Sequence, residues 1–416
     1  MLLHRVADLR PGEGPRVVLA GLWCGLLLTA NYGLHPLRDA MGVAGGVDRL
    51  HWLFTATFLA MLAAVPLFGL AVAKLGRARL VPWVHRFLAV NALVFFAAMQ
   101  GWFGEGPAIE LWTARVFFVW TSVFNLFAVS LFWSVMADLF AASEAKRLFG
   151  LISVGGSIGA LLGPFVGGAL ALWADPSLLL IVVALALEAS LICLRALHAG
   201  GELATAQTPS PDEAIGGSPF AGIAELLRSP ALLSICAYVL LLTMSSTVVY
   251  FVQAQIVERE FVDDDTRTAV FASIDFTVNA LTLAIQALLA GRLIRRFGLG
   301  VSLAVLPLVT LIGLLGLALA PVLAILVGMQ VIRRACQYGI AKPAREVLFT
   351  AVDRSERYKA KSLIDTVVYR GGDALTGWAF AGLTALGLGL AGIALVFAPL
   401  AAGWIAVALW LGRERQ

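Results

Sequence analysis

Asp275, Asn279, Thr282 and Gln286 follow one another at steps of four, three and four in a largely apolar stretch. On a helix these steps place four polar groups on one face. Such a face lines a path for a polar solute or forms a hydrogen-bonded seam with a neighbouring helix. Asp275 is the member that could carry a proton or partner a cation. Further along, Arg333 and Arg334 share a run with Gln330, Gln337, Tyr338 and Lys342. An arginine at a helix centre in lipid is unfavourable by about 2.5–3.5 kcal/mol on insertion scales. An acidic neighbour or a charged solute must offset that cost. The planar guanidinium fork suits carboxylate and phosphate oxygens. This is chemistry of binding and passage. No nucleophile–base arrangement stands out, so an enzyme is not expected. Cys24, Cys193, Cys236 and Cys336 lie in or at the ends of apolar runs with no CxxC or Cys/His spacing. Neither a metal site nor a cofactor is expected.

Other candidates sit at helical spacing elsewhere. Asn31, His35 and Arg38 recur at steps of four and three, with Pro36 and Asp39 beside them. They line a cavity, or Arg38 and Asp39 form a solvated interfacial pair. Asn125 follows Arg115 and Ser122 on another run. Asp138, Glu144, Lys146 and Arg147 form a charge cluster suited to gating or structure. Arg345 belongs to a charge-rich connection that continues to Asp365, Tyr369, Arg370 and Asp373, where Arg370 and Asp373 are three apart. Asn31, His35, Arg38, Asn125, Asp275, Asn279, Arg333, Arg334 and Gln337 are the candidate substrate contacts. Asp39, Asp138, Arg147, Arg345, Arg370 and Asp373 are the candidate gating or structural charges.

Only spanning helices can position these groups. Sixty per cent of the residues are hydrophobic and 13% are charged, with a mean hydropathy of +0.90. Soluble domains carry about 25% charged residues, so the chain reads as an integral membrane protein. Twelve apolar runs fall at 17–37, 50–73, 80–100, 108–136, 149–173, 177–197, 230–254, 268–292, 299–319, 321–342, 361–385 and 389–411. Each is long enough, at about 20 residues, to cross a hydrocarbon core as a helix. The polar gap at 198–229 divides them six and six and reads as a linker between halves 1–197 and 230–416. The halves repeat: Gly69-x-x-x-Ala73-Lys74-x-Gly76 matches Gly291-x-x-x-Arg295-Arg296-x-Gly298. Such repeats are expected of transporters built from two related bundles. Basic residues crowd the loops on the side of the N terminus, while the other side holds Arg38, Arg49, Arg259 and Arg267. Both termini are therefore expected in the cytoplasm. The first run reads as an uncleaved helix, because further spans follow it.

Gly155, Gly159, Gly163 and Gly167 fall on one helix face. A face without side chains lets another backbone approach closely in lipid. Within it, Gly159-x-x-x-Gly163-Pro164-x-x-Gly167-Gly168 resembles the fifth-helix motif of antiporters in the major facilitator superfamily. That resemblance implies two pseudo-symmetric six-helix bundles, alternating access about a central site, and a gating or structural role for Gly159, Gly163 and Pro164 at the seam between the halves. The loop signature departs from the superfamily pattern: Ala73 and Arg295 stand where an Asp is usual.

Residues 31–42, 132–168 and 342–378, with Arg38-Asp39 in the place of a basic–acidic pair, are similar to bacterial relatives of the ATP/ADP translocase family. This similarity implies the fold strongly and a nucleotide substrate weakly. The expectation is an all-α membrane protein of twelve transmembrane helices in a bacterial cytoplasmic membrane. It is expected to be monomeric, to bind no nucleic acid, and to move a small anionic or polar solute by exchange or proton coupling. Two other readings stay open: a proton-coupled exporter of amphipathic compounds, favoured by aromatics such as Trp120, Phe124, Trp133 and Tyr250, and a non-transporting sensor or assembly protein of the same fold.

Overall fold

A computed structural model describes residues 10, 12–75, 77–140, 142–199, 229–350 and 363–413. The described residues form helices and connecting turns. The first six helices are α1 (Glu13–Ala44), α2 (Leu50–Leu75), α3 (Arg77–Met99), α4 (Pro107–Leu139), α5 (Ala142–Trp173) and α6 (Leu178–Ala199). They continue with α7 (Pro230–Glu260), α8 (Asp264–Ile285), α9 (Gly291–Leu319), α10 (Leu323–Cys336), α11 (Lys342–Thr350), α12 (Tyr369–Ala385) and α13 (Leu390–Arg413). Local chemistry sets several starts. Pro107 and Pro230 open α4 and α7, where a missing N–H costs nothing, and the Ser229 hydroxyl accepts from the Leu232 amide at 3.4 Å. The repeated loop glycine Gly298 adopts φ +79° and breaks the helical path within α9.

Among the described residues, ten helices are long and apolar enough to cross a membrane. The expected runs at 321–342 and 361–385 are not continuous α-helices. π-helical turns at Gln337–Ala341 and Ile364–Val368 interrupt them, leaving an α10 of 14 residues and an α12 of 17. A third π-turn, Gln286–Ala290, follows α8. Large apolar side chains such as Trp83, Phe87, Leu185, Ile192, Ile312 and Leu395 stand exposed on the helices. Outward apolar surface of this kind suits a lipid surround better than water.

The helices group into two compact units. Among the described residues, the first gathers residues 10–41, 67–199 and 264–276, and the second gathers 42–66, 229–263 and 277–413. The division within α2 falls at Pro66, a residue that removes an intrahelical hydrogen bond. The core of the first unit packs Trp23, Phe117, Phe124 and Phe132. That of the second packs Tyr238, Trp404, Leu303 and Leu306, and the Tyr238 hydroxyl donates to the Leu303 carbonyl at 3.0 Å.

The glycine face of α5 is spent inside the first unit. A Cβ on Gly155 would stand 2.0 Å from the Gly21 carbonyl oxygen, on Gly159 2.2 Å from that of Gly25, and on Gly163 2.5 Å from the Gly33 amide. This corrects the expectation that Gly159 and Gly163 pack at the seam between the halves. Gly21, Gly25, Thr29 and Gly33 give α1 the same four-residue period, so two side-chain-poor stripes meet backbone to backbone. Gly168, off that face, meets Ala272 of α8 at 3.1 Å within the same unit.

Candidate functional site

The second unit buries a polar constellation between α7 and α10. Arg333 is 3% exposed, and Gln330, Gln253 and Gln337 are buried with it. The Arg333 guanidinium donates to Gln330 Oε1 from Nε at 3.2 Å and from Nη2 at 3.0 Å. Its Nη1 donates to Ser246 Oγ at 2.9 Å and to Gln337 Oε1 at 3.4 Å. Gln330 in turn donates through Nε2 to Gln253 Oε1. Among the described residues, every acceptor around this cation is neutral. Burying a charge usually requires a partner of opposite sign, and amide and hydroxyl dipoles orient a guanidinium without cancelling its charge. Arg334, the next residue along the helix, is half-buried.

The π-turn Gln337–Ala341 lies directly after this pair of arginines. Gln286, which opens the π-turn after α8, donates to the Tyr338 carbonyl at 3.2 Å. Gly339 makes that approach possible, since a Cβ there would lie 2.7 Å from the Ile285 side chain. Two π-turns are thus tied to each other beside Arg333. Such turns are frequent at functional sites, because they re-aim neighbouring side chains.

Asp373 is also buried in the second unit. Its Oδ1 accepts from the hydroxyls of Thr243 and Thr247, the latter at 2.7 Å. Its Oδ2 lies 3.5 Å from Arg370 Nη1. Arg345 approaches Asp365 at 3.6 Å.

The remaining candidates are spread through the molecule. Arg38 bonds Asp39 at 2.9 Å and lies over the Phe118 ring at 4.8 Å, so the pair is internal to the first unit and partly buried. Asn31 is buried, and its Oδ1 has no hydrogen-bond partner among the described residues. His35 and Asn125 are half-buried. Asp275 is buried and falls in the first unit, whereas Asn279 and Thr282 fall in the second. Arg147 pairs with Glu13 at 2.8 Å, and Arg16 donates to the Leu139 carbonyl at 2.7 Å. These contacts tie the start of α1 to the end of α4 and the start of α5. The Asp138 side chain, the Lys74 side chain and the linker residues 200–228 lie outside the described residues.

Reading the residues missed α7. Thr243, Ser246, Thr247, Tyr250 and Gln253 follow one another at steps of three, one, three and three in the helix. That stripe was available as a signal, and it supplies acceptors or donors to both Arg333 and Asp373.

The sequence profile of the Major Facilitator Superfamily matches residues 26–341. ADP,ATP carrier protein 1 of Chlamydia trachomatis is 23% identical over 311 residues, covering 66% of this chain and 59% of the carrier. The protein of the same name in Chlamydia muridarum is 23% identical over 319 residues, with the same coverage. The chain therefore spans less than two thirds of the length of these relatives. Among solved structures, the nucleoside transporter NupG superposes with a TM-score of 0.65 at 13% identity, covering 95% of this chain and 99% of that one. A bacterial homologue of the iron transporter ferroportin, in an inward-facing state, superposes with a TM-score of 0.65 at 15% identity, covering 94% and 98%.

Proposed function

The chain belongs to the major facilitator superfamily, and from that premise we propose that it moves a small anionic or polar solute across a bacterial cytoplasmic membrane by alternating access. Family membership makes it a multi-pass membrane transporter and not an enzyme. The observation that carries the substrate class is Arg333. A guanidinium 3% exposed, held in place by Gln330, Ser246 and Gln337 with no acid among its partners in the described residues, is oriented without a compensating charge there. A solute bearing carboxylate or phosphate oxygens supplies the missing charge and matches the planar fork. The names of the chlamydial relatives favour a nucleotide as the form of that anion. Asn31, His35, Arg38, Asn125, Asp275, Asn279, Arg334 and Gln337 are proposed to complete the substrate contacts. Asp39, Asp138, Arg147, Arg345, Arg370 and Asp373 are proposed to serve gating or structure.

Twelve spans are proposed, six in each of the halves 1–197 and 230–416, with both termini in the cytoplasm on the ground of the basic loops. A monomer working by exchange or proton coupling completes the proposal. Counterflow in proteoliposomes tests it. Vesicles preloaded with ADP or with inorganic phosphate are expected to accumulate the labelled form of one of these anions, and Arg333→Gln is expected to abolish the uptake. Equal uptake by wild type and Arg333→Gln would overturn the proposal.

A further inference from the structure

Arg86 of α3 and Glu188 of α6 form an ion pair in the first unit, Nε to Oε1 at 3.5 Å. Their side chains are 55% and 48% exposed, so the pair stands on the surface of the unit and not in its core. α3 packs along α6. The exposed residues around the pair are large and apolar: Trp83, Phe87 and Val90 on α3, Leu185 and Ile192 on α6. Steps of three and four, from Leu185 through Glu188 to Ile192, put the acid in the middle of an outward stripe.

Depth sets this pair apart from a surface salt bridge in water. Glu188 is ten residues from each end of the span Leu178–His198. At the helical rise that is about 15 Å, the middle of a hydrocarbon core about 30 Å thick. Arg86 is six residues inside the start of its own span at Leu80. Charged groups within spans are costly, and they almost always face a bundle interior, a cavity or a partner. Acyl chains offer neither donor nor acceptor. One contact, between one nitrogen and one oxygen, leaves bonding capacity on both sides. The guanidinium has further N–H donors and the carboxylate a second oxygen.

We propose that this α3–α6 face is where two copies of the chain associate. The face carries one cation and one anion at similar depth, so it is complementary to itself. Two copies inserted in the same sense are related by a two-fold axis along the membrane normal, and the contact is then isologous. The rotation sets Arg86 opposite the partner's Glu188, and Glu188 opposite the partner's Arg86. Four charges of alternating sign close a ring, with the apolar residues of both stripes packed around it. A lipid headgroup would have to sink to the middle of the bilayer to do the same. A foreign helix would have to bring an acid and a base at one depth, whereas a second copy brings both by symmetry. Each chain keeps its own transport path, so the monomer proposed above remains the working unit and the pair joins two such units. The inference needs α3 and α6 to span the membrane and does not depend on Arg333 as the anion contact.

Charge reversal with complementation tests it. Two differently tagged copies are co-expressed, extracted in mild detergent and captured by one tag, and the other tag is quantified. Wild type is expected to capture wild type. Arg86→Glu leaves only acids at the pair and Glu188→Arg only bases, so each is expected to capture itself about tenfold less or worse, as like charges face each other. Arg86→Glu co-expressed with Glu188→Arg is expected to recover capture, because each supplies the charge the other lacks. Misfolding of either variant would not be rescued by mixing. If a reversal fails to insert, the double variant Arg86→Leu/Glu188→Leu carries the test, since its face suits lipid. Subunit counting in dilute liposomes is expected to find wild type in pairs and this variant as single copies. Wild type counted as single copies, with phospholipid or another membrane protein held on this face instead, would overturn the proposal. So would equal capture by wild type and both reversals, no recovery on mixing, or a leucine variant that still counts as pairs. Anion binding by Arg333 is read separately by its own variants.

Discussion

Gly159 of α5 lies against Gly25 of α1 so closely that a Cβ on Gly159 would stand 2.2 Å from the Gly25 carbonyl oxygen. The obstacle is main chain, which cannot rotate aside as a side chain can. Gly159→Ala is therefore expected to destabilise the protein, and Gly159→Leu to do so by at least the ~1–3 kcal/mol typical of overpacking. Melting of the purified variants checks this, with Gly150→Ala as the control. Gly150 is helical with nothing near the position of its Cβ, so alanine there is expected to be neutral or stabilising by about 0.5–1 kcal/mol.

That glycine contact shows how far the residues alone could be read. The period of Gly155, Gly159, Gly163 and Gly167 revealed a tight helix contact, because spacing and missing side chains are local properties. The partner was not local. Gly21, Gly25 and Gly33 carried the matching period, yet periodicity does not say which two stripes meet. That the chain is an all-helical membrane protein followed from composition and run length. The runs at 321–342 and 361–385 were harder to read, since π-turns interrupt the stretches that hold the buried Arg333 and Asp373. Arg333 stood out as a cation in an apolar run, but its acceptor Ser246, and Gln253, which accepts from Gln330, come from the distant helix α7. Only three-dimensional packing tells a guanidinium with neutral partners from one with an acid.

Gly298 has φ +79° and ψ 176°, a region essentially reserved for glycine. Gly298→Ala is expected to cost about 1–3 kcal/mol through backbone strain. Thermal melting in detergent checks this, and an unchanged midpoint would show that the break within α9 does not require glycine.

The Tyr238 hydroxyl is buried and donates to the Leu303 carbonyl at 3.0 Å. Tyr238→Phe removes that bond and leaves the carbonyl without this donor. A loss of about 0.5–1.5 kcal/mol is expected, the ordinary worth of one such bond. Melting of the variant reads it, with transport rates expected to stay near those of wild type.

The basic loops are the ground on which both chain ends are proposed to lie in the cytoplasm. A fluorescent reporter that folds only in the cytoplasm, fused after Gln416, is expected to be bright. Activity of a periplasm-dependent reporter at the same position would invert the topology.

Gln330 decides whether Arg333 is an anion contact or a structural cation. It accepts two of the guanidinium's hydrogen bonds, at 3.0 and 3.2 Å, and it is neutral. Gln330→Glu puts a carboxylate in nearly the same volume and pairs Arg333 from within. The most direct measurement is the melting temperature of wild type, Arg333→Lys and Gln330→Glu with inorganic phosphate, ADP or ATP, and with uncharged adenosine as control. A ligand that binds the folded form raises its apparent stability. The account expects wild type to be stabilised by at least one of the anions more than by adenosine. It expects Arg333→Lys to fold with a weakened response, and Gln330→Glu to fold at least as stably as wild type with the anion response gone. Anion responses equal to wild type in both variants would contradict it.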